Sequence, residues 1–208
     1  MKVFLLNGSP HPEGCTFTAL SEVAAVLSRN GAETEIYQLG TSPVRGCVAC
    51  HRCHSIGKCA FGDDAANEII EKIKAADGVV LGSPVYYAGP NGALCAVLDR
   101  VFFAAARDFA YKPGAAVVSC RRGGASASFD RLNKYFTISH MPVVPSQYWN
   151  AVHGATPDDV RRDKEGLQIM RALGANMAWL LKSIAAGEGP IRLDERREMT
   201  SFIRPDNA

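Results

Sequence analysis

The sequence predicts an α/β fold on a doubly wound parallel sheet of five strands in the order 2-1-3-4-5. Three observations predict it. Short apolar runs alternate with helical segments along the chain, the pattern of right-handed β-α-β units. The run Gly78–Gly82 lacks polar alternation, as a strand buried on both faces does. The first, third and fourth runs each end in a loop of glycine, serine, proline or arginine, at the strand ends where doubly wound sheets bind ligands.

Each element has its own signal. Lys2–Asn7 is an apolar run ended by Gly8-Ser9-Pro10. Thr16–Asn30 has helical composition and stops at Asn30-Gly31. Thr34–Leu39 alternates as a second strand, and the stretch from Gly40 to Gly62 is irregular and rich in cysteine. Asp63-Asp64 precede a helix over Ala65–Ala76, where acids favour the positive amino end. The third strand, Gly78–Gly82, leads through a loop, Ser83–Pro90, into a helix over Asn91–Ala106. Ala115–Cys120 is the fourth strand, Arg121–Gly124 a loop, Ala125–Ser139 a helix, and Pro142–Pro145 the fifth strand. Thr156-Pro157-Asp158-Asp159 opens a last helix with a capping hydroxyl and a first-turn proline. Val160, Leu167, Met170, Leu173, Met177, Leu180 and Ile184 give that helix one apolar face over about seven turns. The expected organisation is one domain, 1–187, with a cysteine-rich insertion at 40–62, and a polar tail, 188–208.

Bulk properties narrow the function. The 208 residues carry a net charge of +2, too little for a dedicated nucleic-acid surface. No apolar stretch approaches the ~18 residues of a membrane helix. Met1 to Leu6 breaks too early for a secretory leader, so a cytoplasmic protein is expected, with no nucleic-acid or membrane partner. Seven cysteines in a reducing compartment point to metal or redox chemistry rather than a disulfide framework.

Asn7 to Thr16 joins the first strand to the first helix. Its glycines let backbone approach a ligand, and the helix amino end presents N–H groups to an anion. It lacks the Gly-Lys-Ser/Thr of a nucleoside-triphosphate loop and the GxGxxG of a dinucleotide loop, so a terminal monophosphate fits it better. Tyr86 and Tyr87 in the second loop offer a flat wall for an aromatic ring. Arg121 to Gly124 adds backbone N–H groups and two cations at the same edge. Singly, each loop also reads as an ordinary turn; their common placement favours a ligand.

Gly8-Ser9-Pro10 with Cys15-Thr16, Gly82-Ser83-Pro84-Val85-Tyr86 and Leu98-Asp99-Arg100 together resemble the NADPH-dependent FMN reductase family, nearest its iron–sulfur flavoproteins, over residues 1–140. The resemblance implies a flavodoxin-like fold with bound flavin mononucleotide (FMN). It puts Ser9, Cys15 and Thr16 at the phosphate, with His11 where Arg or Lys is common and Cys15 where Asn is common. It puts Pro84, Val85, Tyr86 and Tyr87 beside the isoalloxazine, and the backbone of Cys120, Arg121, Arg122, Gly123 and Gly124 near its pyrimidine end. Cys95 replaces a frequent lysine, and Asp99 and Arg100 read as packing or subunit-interface residues.

Cys47, Cys50, Cys53 and Cys59 form C-x2-C-x2-C-x5-C. Two successive x2 gaps let three thiolates converge on one small object, as in ferredoxin-type clusters. A zinc ribbon needs its two pairs far apart. The spacing favours a [4Fe–4S] cluster and, with Gly57-Lys58-Cys59 and Asp63-Asp64, resembles the compact motif of iron–sulfur flavoproteins. A mixed site with His51 and His54 on zinc, and free or oxidised thiols, stay open. Cys95 and Cys120 read as small buried residues, Trp149 as a core indole and His153 as a surface histidine.

The resemblance implies an oxidoreductase that takes hydride from NADH or NADPH onto FMN. It passes electrons to a flavin, quinone or other small acceptor, or through the cluster to a one-electron acceptor. The alternatives are an electron carrier that docks to a redox protein without NAD(P)H turnover, and a cofactor-free α/β binding module. A homodimer or homotetramer is expected.

Overall fold

The computed structural model describes residues 1–191, 194–195 and 198–200. In chain order its elements are β1 (Lys2–Asn7), α1 (Cys15–Arg29), β2 (Glu33–Gln38), α2 (Cys53–Ile56), α3 (Ala66–Ala75), β3 (Gly78–Tyr86) and β4 (Gly89–Pro90). Then follow α4 (Gly92–Phe109), β5 (Gly114–Cys120), α5 (Ala125–Ile138), β6 (Ala151–His153), α6 (Pro157–Arg162) and α7 (Lys164–Ala186). The parallel strands run β2-β1-β3-β5-β6, the expected order, and the two-residue β4 lies off that path, antiparallel to the end of β3. Residues 188–191 form neither helix nor strand, and 192–193, 196–197 and 201–208 of the expected tail lie outside the described residues.

Side chains alternate across the sheet, as the pleat requires. Phe4, Leu6, Val79, Leu81, Ala116 and Val118 face α3, α4 and α5. Val3, Leu5, Val80, Ala115 and Val117 face α1 and α7. The central strands are therefore apolar on both sides. Their register aligns the ends: Asn7 pairs with Gly82, Pro84 with Ser119, and Cys120 with His153. The loops after β1, β3, β5 and β6 consequently leave one edge of the sheet.

Three expectations are corrected. Pro142–Pro145 is not the fifth strand: Val143 makes only an isolated bridge to Gly114, and the ladder resumes at Ala151–His153. Pro142 and Pro145 cannot donate to a ladder, which interrupts the edge. The long last helix is two helices, because Asp163 leaves helical geometry (φ −73°, ψ 82°). Its carboxylate accepts from the Gly166 N–H at 2.9 Å, capping α7, and from the His153 N–H at 2.7 Å. The loop expected at Ser83–Pro90 is largely a hairpin, with Tyr87 and Ala88 at its tip and both φ positive (51° and 59°).

Candidate functional site

The first three loops meet at the sheet edge. The Gly8 N–H donates to the Gly82 carbonyl at 2.8 Å, joining the first loop to β3. A Cβ on Gly8 would stand 2.9 Å from that same oxygen, so only glycine allows the approach. The hydroxyls of Thr16 and Ser119 are 2.8 Å apart, joining α1 to β5. Gly124, at φ +90°, closes the ring: a Cβ there would lie 2.7 Å from the Ala88 Cα at the hairpin tip.

Capping distinguishes the helices that start at this edge. Asn91, Thr156 and Asp163 cap α4, α6 and α7 with their side chains. α1 begins at Gly14 and α5 at Gly124, which bring no side-chain acceptor, and neither helix has an acid in its first turn. Two helix amino ends thus keep their N–H groups and positive potential available on the same edge. That donor set fits a phosphate and an electron-rich ring edge.

The proposed contacts are placed unequally. Ser9 is buried; its Oγ accepts from the His11 N–H at 3.1 Å, and its hydrogen remains to be donated. Gln38 braces this turn, donating to the Ser9 carbonyl at 2.7 Å, while the Asn7 side chain accepts from the Ser9 N–H at 3.1 Å. Thr16 is buried and its hydroxyl is shared with Ser119. The Cys15 thiol turns toward the Gly154 carbonyl, 3.8 Å away, and burial pushes it up, toward the neutral form. His11 is exposed. Pro84 and Val85 are half-buried, Tyr86 is 45% exposed and Tyr87 stands free at the tip. Arg121, Arg122 and Gly123 are exposed, Gly124 is half-buried, and Cys120 is buried at the end of β5.

The cysteine loop leaves β2 at the same edge and folds back over α4. Cys47, Cys50, Cys53 and Cys59 all line one small pocket, with Phe61, Arg100 and Phe103 among its walls. Cys53 and Cys59 are buried, whereas Cys47 and Cys50 reach solvent. Burial pushes the Cys53 thiol up, and the neighbouring cysteines push the same way. Among the described residues no three His, Cys, Asp or Glu side chains are grouped tightly enough to hold a single metal ion. His51 meets Phe103 edge-on and His54 meets it at a tilt, at centroid separations of 5.7 and 5.2 Å.

The chain matches the NADPH-dependent FMN reductase family over residues 1–156. It is 35% identical over 196 residues to an iron–sulfur flavoprotein of Methanocaldococcus jannaschii, covering 88% of this chain and 99% of that one. The chain belongs to the NADPH-dependent FMN reductase family, in its iron–sulfur flavoprotein branch. It is an FMN-binding redox protein of the flavodoxin-like class. An iron–sulfur flavoprotein of Methanosarcina thermophila is 28% identical over 188 residues, covering 88% of this chain and 97% of that one. The NAD(P)H:quinone oxidoreductase of Methanothermobacter marburgensis superposes with a TM-score of 0.64, covering 85% of this chain and 96% of that chain; at 17% identity the likeness speaks to the fold alone. Among the described residues no helix is long and apolar enough to cross a membrane.

Sequence reasoning misplaced one residue of this family member, Trp149, and left the partners of another, Arg100, unread. Arg100 packs inside the protein, one of the two roles expected of it: it is 2% exposed and donates from Nε to the Cys59 Sγ at 3.2 Å. Its position between Val97 and Val101 on the apolar face of a helix was the available signal. Trp149 is 53% exposed rather than in the core, in tilted contact with Tyr148 at a centroid separation of 4.7 Å. Both rings line a groove of about 370 Å³ with Phe129, Arg122 and His153, beside the loop after β5. His153 is exposed, as expected.

Proposed function

We propose that this protein oxidises NADH or NADPH at an FMN held on the sheet edge, and that Cys47, Cys50, Cys53 and Cys59 ligate a [4Fe–4S] cluster. The observation that carries the proposal is the convergence of all four cysteines of the motif on one cavity whose mouth opens to solvent. A set of four thiolates with two successive x2 gaps suits iron–sulfur chemistry, whereas a zinc ribbon needs its two cysteine pairs far apart. When bound, the flavin accepts a hydride and the cluster exchanges single electrons.

The chain's own residues bind and orient. The free N–H groups of the α1 amino end, with the Ser9 hydroxyl, would hold the phosphate. Thr16 acts one step back, fixing α1 to β5 through Ser119. Pro84, Val85 and Tyr86 would hold one side of the ring, with Tyr87 at the rim. Backbone N–H groups from Arg121 to Gly124 would donate to the ring edge that becomes electron-rich on reduction, and preorganised donors of this kind are worth roughly 2.7–4 kcal/mol each. Helix α4 links the two centres. It starts directly after the hairpin and reaches Arg100 eight residues beyond Gly92, about 12 Å along its axis.

The exposure of Cys47 and Cys50 favours a second reading, an electron carrier that serves a docked redox protein without NAD(P)H turnover. Anaerobic purification with flavin, iron and sulfide analysis, followed by addition of NADH or NADPH, separates the readings. Bleaching of the flavin by either nucleotide, with four irons per chain expected by this proposal, supports the enzyme. Flavin and iron without bleaching support the carrier. Absence of iron and sulfide contradicts the cluster.

A further inference from the structure

Arg100 uses its guanidinium unusually fully for a buried residue. Nε–H donates to the Cys59 Sγ at 3.2 Å, one terminal nitrogen donates to the Arg45 carbonyl at 3.2 Å and to the Asp64 carboxylate, and the other to the Phe61 carbonyl at 2.9 Å. The side chains of Arg100 and Asp64 are 1% and 5% exposed. Arg45 and Phe61 bracket the stretch that carries all four cysteines, so one side chain ties both ends of the loop to α4. Neutral donors would suffice for a clamp. Burying a permanent cation is costly, and here it is placed on a ligand sulfur.

We infer that Arg100 is a positioning residue that sets the reduction potential of the cluster through Cys59, with Asp64 offsetting part of its charge. The inference rests on the cluster reading above. Reduction adds one negative charge to the cluster. A cation hydrogen-bonded to a ligand sulfur favours that state, and an adjacent carboxylate opposes it; hydrogen bonds to sulfur and net charge are the established levers on such potentials. Arg100 and Asp64 therefore pull in opposite directions. A purely structural clamp has no such signature, because breaking it from either side loosens the same loop.

The test is a mediated titration of the anaerobically reconstituted full-length protein, with dithionite as reductant and visible and EPR spectra as readouts. Iron, sulfide and far-UV circular dichroism are measured for each variant. Arg100→Gln is expected to move the cluster midpoint to more negative potential. Asp64→Asn is expected to move it to more positive potential. Arg100→Lys keeps the charge but loses the Nε–H, and is expected between wild type and Arg100→Gln. Equal midpoints, or shifts of Arg100→Gln and Asp64→Asn in the same direction, overturn the inference. So does loss of iron from all three folded variants, which would make Arg100 a clamp alone. A wild-type protein without iron and sulfide overturns the cluster reading itself, and the inference with it.

Discussion

The Thr16 hydroxyl lies 2.8 Å from that of Ser119, and this contact between two buried groups ties the start of α1 to the end of β5. It holds the amino end of α1 against the middle of the sheet edge. Thr16→Val leaves the Ser119 oxygen buried without this partner, a loss of about 1–3 kcal/mol. The urea midpoint should fall with an unchanged slope. Thr16→Ser, which keeps the hydroxyl, should retain most of the stability.

The packing of β5 against α5 leaves no room at Gly114. An added Cβ would meet the Phe136 ring at 2.5 Å, and that ring is fully buried. Gly114→Ala should cost about 1–3 kcal/mol by overpacking. Gly92→Ala, where a Cβ meets nothing within 4 Å, should leave the thermal midpoint unchanged or slightly raised.

How much of this was legible in the sequence follows from the physics of each signal. The strands read at Lys2–Asn7 and Ala115–Cys120 were legible because parallel strands buried on both faces are apolar without alternation. Thr156 announced α6 because a capping hydroxyl, a proline and acids are local chemistry. The break at Asp163 was hidden because that carboxylate chooses the His153 N–H, a partner across the sheet edge, over helical continuity. The fifth strand was misplaced because an edge strand of three residues has little apolar signal, whereas the Val143-Val144 pair between prolines has more. In the site, the loops could be ordered along the edge, but the inward turn of Thr16 and the role of Arg100 depend on tertiary partners.

The acid side of the stability profile should carry the Arg100–Asp64 pair. Burial pushes the Asp64 carboxyl up, but hydrogen bonds from Arg100 and from the Ala66 and Arg45 N–H groups outweigh it and hold it below the usual carboxylate range. A carboxyl whose folded pKa is lowered contributes stability that is fully present above its unfolded value, about 3.9, and lost as pH falls through the folded value. Urea midpoints of the metal-free protein should therefore decline below about pH 4, and Asp64→Asn should flatten that part of the curve while lowering stability at neutral pH. An unaltered acid limb in the variant would exclude this pair as a cause.

Cysteine reactivity should follow exposure. In the iron-free protein, Cys47 and Cys50 should alkylate fastest, and Cys120 slowest because burial pushes its thiol up. Timed iodoacetamide labelling with mass spectrometry reads this directly. Reconstitution with iron and sulfide should protect Cys47 and Cys50 and leave Cys120 unaffected. Equal labelling of Cys120 and Cys47 would contradict the buried end of β5.

The central claim is that the loops after β1, β3 and β5 form one monophosphate-flavin site. Titration of the deflavinated protein with FMN and with riboflavin, followed by flavin fluorescence, tests it most directly. The account predicts one FMN per chain and riboflavin binding weaker by about five- to thirtyfold, since phosphate at a helix amino end is worth roughly 1–2 kcal/mol. Equal affinity for the two flavins, or no binding of either, would contradict it.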